Sequence, residues 1–147
     1  AGAGFDLSAS TQIIPIIDLT ESAEGSNVRA DLQTAMSFKT LGYGQAVGST
    51  TTIISNTGYW RLKFTINGDA PSSGSESHRI EIDDGASQKF VYNYELTSST
   101  RGFINISDEV IIKLEAGETC KLVAGTNGVL SCSYRQIADI DGNLTNP

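Results

Sequence analysis

From about residue 50 onward, apolar and polar side chains alternate with period two. Trp60, Leu62, Phe64 and Ile66 alternate with Tyr59, Arg61, Lys63 and Thr65, the pattern of a strand with one buried face. The same alternation returns over residues 78–82, 90–96, 110–114, 120–122 and 130–134. Turn signals separate the runs: Asn67-Gly68-Asp69, Pro71-Ser72-Ser73-Gly74-Ser75, Asp83-Asp84-Gly85, Ala116-Gly117-Glu118 and Asn127-Gly128. Asn-Gly and Asp-Gly steps tolerate the positive φ angles that tight hairpins need. Short strands at this spacing predict an all-β antiparallel sandwich or barrel and argue against a βαβ fold.

The first 47 residues follow a different pattern. Ile13-Ile14-Pro15-Ile16-Ile17 is an apolar run interrupted by Pro, which suits an edge strand or an extended arm. Ser26-Asn27 offers a cap for a short helix over residues 28–38, with Val28, Leu32, Ala35 and Met36 on one stripe. A helix of that length is marginal alone in water, so its stripe must pack on the sandwich or on a neighbouring chain. Gly42-Tyr43-Gly44 and Gly48-Ser49 read as a flexible joint. The expected division is an arm with a short helix over residues 1–47 and a sandwich with a short C-terminal tail over residues 48–147.

Composition narrows the function classes. The chain has 147 residues, enough for one domain with an added arm, and a formal net charge of −7. That charge argues against a nucleic-acid binder, which needs a basic face to displace counterions from phosphates. No apolar run approaches the ~20 residues of a helical membrane span. One His, one Met and two Cys leave little for a metal cluster or a His-dependent active site. The expectation is a soluble, acidic, non-catalytic protein with no cofactor. Ala1-Gly2-Ala3-Gly4 lacks the basic and apolar regions of a signal peptide. It fits a chain made in the cytoplasm with its initiator Met trimmed, although a cleaved leader would leave the same start.

Candidate chemistry is sparse. His78 alternates with Ile80 and Ile82 and reads as a partly buried or surface residue, not as a triad base. Cys120 and Cys132 flank a turn-rich stretch and either face each other across a hairpin or sit as small buried thiols. Asp83-Asp84 and Asp108-Glu109 fall at predicted strand ends, where several converging oxygens would suit Ca²⁺, but solvated turns explain them better. Asp139-Ile140-Asp141-Gly142-Asn143 resembles half a calcium loop without its distal Glu and reads as a polar tail. Pro71, Ser72, Ser73, Ser75, Glu76 and Ser77 form the longest polar loop, the candidate ligand-contacting tip.

The strands also carry a resemblance. Ser55-Asn56-Thr57-Gly58-Tyr59-Trp60-Arg61-Leu62 looks like the strand of complement-type and tumour-necrosis-factor-like jelly rolls. There a turn Gly is followed by a buried aromatic and further alternate apolars; Thr57 stands where a Pro commonly precedes that Gly. The hairpin from Val110 to Cys120, with Gly117 in the turn, and the closing strand from Leu130 to Tyr134 are similar too. The resemblance covers roughly residues 48–137 and implies a jelly-roll sandwich that assembles as a homotrimer. Tyr59, Val91 and Ile111, on nominally outward positions, are the candidate trimer interface. A signal-less chain with an arm ahead of such a domain also resembles bacteriophage capsid knobs, decoration proteins and fibre heads. That resemblance implies a virion protein made in the host cytoplasm, with Ile13, Ile14, Ile16, Ile17, Val28, Leu32 and Met36 docking on other virion proteins. The alternative it leaves open is a receptor- or glycan-binding head on a host surface. Neither reading includes a nucleic-acid or membrane partner.

Overall fold

The computed structural model describes residues 41–99 and 102–145. The predicted arm residues Ile13, Ile14, Ile16 and Ile17 and the helix stripe Val28, Leu32 and Met36 lie outside the described residues. Every regular element among the described residues is a strand: β1 (Leu41–Val47), β2 (Thr50–Ile54), β3 (Gly58–Asp69), β4 (Ser75–Asp83), β5 (Gln88–Thr97), β6 (Phe103–Leu114), β7 (Thr119–Val123) and β8 (Gly128–Ala138). They form two antiparallel four-stranded sheets, ordered β1-β8-β3-β6 and β2-β7-β4-β5. Only the β4–β5 connection stays within one sheet; every other one crosses to the opposite sheet. This is the eight-stranded jelly roll.

The alternation predicted for β3 sets the core. Trp60, Leu62, Phe64 and Ile66 are buried, and β8 adds Leu130 and Cys132 beside them. From the facing sheet come Ile80, Leu96, Cys120 and Leu122. The Phe64 ring meets Tyr92 of β5 at 5.4 Å between centroids, so one aromatic contact ties the two sheets together. Trp60 packs edge-on against Tyr134 at 6.0 Å and donates its indole N–H to the Asn56 carbonyl at 3.1 Å. Burying the ring thus leaves its one polar group satisfied.

Two expectations need correction, and for the cysteines the buried-thiol alternative holds. Residues 41–47 are no joint but strand β1, paired with β8 from Leu41↔Arg135 to Val47↔Val129. Two of its three inward positions are glycines because the space is already filled: a Cβ on Gly42 would lie 2.3 Å from the Tyr134 ring, and one on Gly44 2.2 Å from Ile53 Cγ2, while Ala46 fills the third. Cys120 and Cys132 do not face each other across a hairpin, since the β7–β8 turn passes between sheets; both are buried free thiols. Desolvation pushes each thiol up to about 12, so neither is a nucleophile at neutral pH. Asp108 and Glu109 lie in the middle of β6, not at a strand end. Asp108 takes a core-side register position opposite Phe64 yet stays exposed, and a charge so placed on an edge strand discourages pairing with another chain.

His78 is fully buried, deeper than its pattern suggested. Its Nδ1 accepts a hydrogen bond from the Gly125 N–H at 3.1 Å, which assigns the proton of the neutral ring to Nε2. Nε2 has no hydrogen-bond partner, and Glu76 Oε2 stands 3.9 Å away. Burial lowers the imidazole pKa, with Glu76 opposing. Because the unfolded chain binds the proton first, stability is full above the ordinary value of 6.5 and declines as pH falls below it. The expected slope is no steeper than the one-proton limit of about 1.4 kcal/mol per pH unit. Urea midpoints from pH 7.5 to 5.5 check this: His78→Gln should flatten the decline, and an unchanged slope would rule out His78 as its source.

Candidate assembly surface

Alternation turns one set of side chains on β1, β8, β3 and β6 away from the core. Register sorts that outer face into rows. Gln45, Ser131, Thr65 and Ser107 form a small polar row across its middle. Beside it run Tyr43, Ser133, Lys63 and Glu109, and then Arg135, Arg61 and Ile111. Tyr43 is 63% exposed, Val47 60% and Ile111 57%, so large apolar groups stand around a flat polar centre. Tyr59 lies on the same face, half-buried, with the Lys113 ammonium 5.9 Å above its ring.

The outer face of the other sheet differs in its electrostatics. Arg79 binds Glu81 at 2.7 Å and lies 5.0 Å over the Phe90 ring. Lys121 binds Asp83 at 2.5 Å, and Lys89 binds Glu118 at 3.1 Å. Each cation there has a carboxylate in its own subunit. On the first sheet, Arg61 reaches Glu109 at 3.1 Å and Lys113 reaches Glu115 at 3.1 Å. Lys63 and Arg135 have no acidic partner among the described residues.

The structure separates the residues singled out in the sequence. Tyr59 and Ile111 share the outer face, whereas Val91 sits on edge strand β5 and packs against the core. The β5 bulge at Ile80/Glu81 shifts its register and draws Val91 in. In the polar loop, Ser75, Glu76 and Ser77 already belong to β4. The Glu76 side chain is only 12% exposed, and its Oε2 accepts the Asn127 N–H at 3.1 Å. It braces the β7–β8 turn, which leaves Pro71, Ser72, Ser73 and Ser75 as the accessible part of that loop.

The acidic turns are occupied by their own backbone. Asp84 accepts from the Ala86 and Ser87 N–H groups, and Asp139 from those of Asp141 and Asn143. The Ser87 and Ala86 N–H groups lower the Asp84 carboxyl pKa, and the Asn143 side-chain amide, followed by these backbone bonds, lowers that of Asp139. Among the described residues no three His, Cys, Asp or Glu side chains gather to hold a metal ion.

Tyr43, Val47 and Arg135 escaped the sequence reading. The signal for the first two was a period-two pattern over 42–47, hidden by glycines on the inward positions. Arg135 opposite Arg61 is a register fact between strands far apart in the chain.

No protein-family model matches the chain, and no curated protein sequence does. Among solved structures it is similar to a pentameric capsid protein isolated from metagenomic phage sequences, at 33% identity, covering 96% of this chain and 88% of that one, with a TM-score of 0.65. A second structure described in the same terms, solved by iodide phasing, aligns at 32% identity over 95% of this chain and 87% of that one, with a TM-score of 0.65. The Eiger tumour-necrosis-factor protein of S. frugiperda aligns at 10% identity over 70% of this chain and 88% of that one, with a TM-score of 0.40.

Proposed function

We propose a function from one premise: the chain belongs to the family of the metagenomic phage capsid protein that it matches at 33% identity. It is a phage structural protein, and that identity over 96% of the chain is the observation that carries the reading. The finer account is that copies close into a ring, each covering the apolar margin of its neighbour's first sheet. Its work is assembly and display in the virion, without turnover. Covering Tyr43, Val47 and Ile111 supplies the driving force, at about 25 cal/mol per Å² of apolar surface removed from water.

The relative is described as pentameric, which favours five copies here over the trimer implied by the tumour-necrosis-factor resemblance. Residues 1–40, whose sequence carries the apolar run and the periodic apolar positions noted above, are the proposed attachment to other virion proteins, as in a decoration subunit or knob. A receptor-binding head would rest on Pro71, Ser72, Ser73 and Ser75 alone, a loop without an aromatic to stack on a sugar.

Negative-stain class averages of the purified protein are expected to show closed rings of fivefold symmetry. Single sandwiches at micromolar concentration would overturn the assembly reading.

A further inference from the structure

We propose that Arg135 and Arg61 receive a carboxylate from the next copy of the chain, so that the outer face of the first sheet meets an acidic part of its neighbour. The inference rests on the ring assembly above and names the chemistry of its contact.

The two guanidinium groups stand directly opposite in adjacent strands β8 and β3. Like charges so placed destabilise a sheet. Glu109 compensates Arg61 at 3.1 Å, but no acidic group among the described residues pairs with Arg135. Arg135 is half-buried, and its desolvation and then the Arg61 charge act against its ionised form, with Glu109 opposing from beyond ion-pair distance. On the other sheet Arg79, Lys89 and Lys121 all have partners at home. The unpaired cations Arg135 and Lys63 thus gather on the face that also carries exposed Tyr43 and Ile111.

Ring symmetry decides what must come to them. In a closed ring of three or five copies the contact is heterologous, so a patch meets a different patch of the next subunit. The outward positions of this face carry Arg61, Lys63, Lys113 and Arg135 against Glu109 and Asp69. The rest of the chain therefore holds six cations against fifteen anions. A heterologous contact draws its carboxylate from that acidic excess. Phosphate would satisfy the guanidinium groups equally well, yet nucleic acid would leave Tyr43, Val47 and Ile111 uncovered, and a chain of net charge −7 repels it.

Arg135→Glu and Arg135→Lys, compared with the unaltered full chain by native mass and circular dichroism, test the contact. Arg135→Glu should keep the strand signal and weaken assembly about tenfold or more, while Arg135→Lys stays assembled. Should Arg135→Glu lose the strand signal, Lys63→Glu, at an exposed position on the same face, is expected to weaken assembly in its place. Charge-reversed variants that assemble at the wild-type concentration would overturn the inference and leave the ring standing. An unaltered chain that stays monomeric removes the ring and this contact together. An oligothymidine bound by the unaltered chain at about 0.15 M salt, and lost in Arg135→Glu at unchanged mass, would overturn it in favour of phosphate.

Discussion

Phe64→Ala is expected to destabilise the sandwich by about 3–5 kcal/mol, the range for removing a large aromatic from a packed core. Phe64 is 2% exposed and its ring bridges to Tyr92 on the opposite sheet. The substitution therefore removes a contact between sheets as well as apolar burial. Neighbours Leu62 and Ile66 are held by their strand positions and cannot collapse fully into the space, so a cavity term adds to the transfer term. A domain of this size is stable by about 5–15 kcal/mol, so the variant should show a large fall in its urea midpoint. A shift below about 1 kcal/mol would mean that the ring is not a central core element.

Gly128→Ala should be the second severe change, although it adds one methyl group. A Cβ there would lie 2.2 Å from His78 Nδ1 and 2.3 Å from its Cε1. The ring has nowhere to retreat: a Cβ on Gly68 would already come within 2.7 Å of Nε2, and Nδ1 is tied to the Gly125 N–H. Gly128 and Gly68 are register partners in β8 and β3, so the imidazole from β4 rests over a glycine pair in the opposite sheet. Overpacking of this kind costs about 1–3 kcal/mol. A double-mutant cycle isolates it: in a His78→Ala background the added methyl should cost little, giving a coupling of about 1–3 kcal/mol. Independent effects would show that the clash is relieved elsewhere.

Much of this architecture was legible in the chain. The alternation of β3 is unbroken from Trp60 to Ile66, and it correctly placed four of the largest core side chains. The turn at Gly117, with φ of 85°, was readable because a left-handed residue there favours Gly. β1 was not legible, because its inward positions are the small residues Gly42, Gly44 and Ala46. The smallness of the two glycines answers to Tyr134 and Ile53, which only the packed structure brings close. The reading of Glu76 as a loop residue failed for a similar reason: its partner, the Asn127 N–H, lies 51 residues away.

The candidate surface was legible in part. Tyr59 and Ile111 fell on outward positions of their strands by period alone, and register puts both on one face. The same period misassigned Val91, because one bulge inverts the inside and outside of a strand beyond it. Arg135 and Arg61 could not be paired from sequence, since cross-strand register is set by the whole sheet. Net charge pointed away from nucleic acid, but it concealed which cations are paired at home: among the described residues Arg79, Lys89 and Lys121 of one sheet are, while Lys63 and Arg135 of the other are not.

Self-assembly of this chain is the proposal that the pentameric phage relative supports. Native mass spectrometry of the unaltered protein at micromolar concentration tests it most directly. The account predicts a dominant species of five times the 15.6 kDa chain mass. A mass of three chains would keep the ring and change its number. A protein that remains at 15.6 kDa across that concentration range would contradict the account.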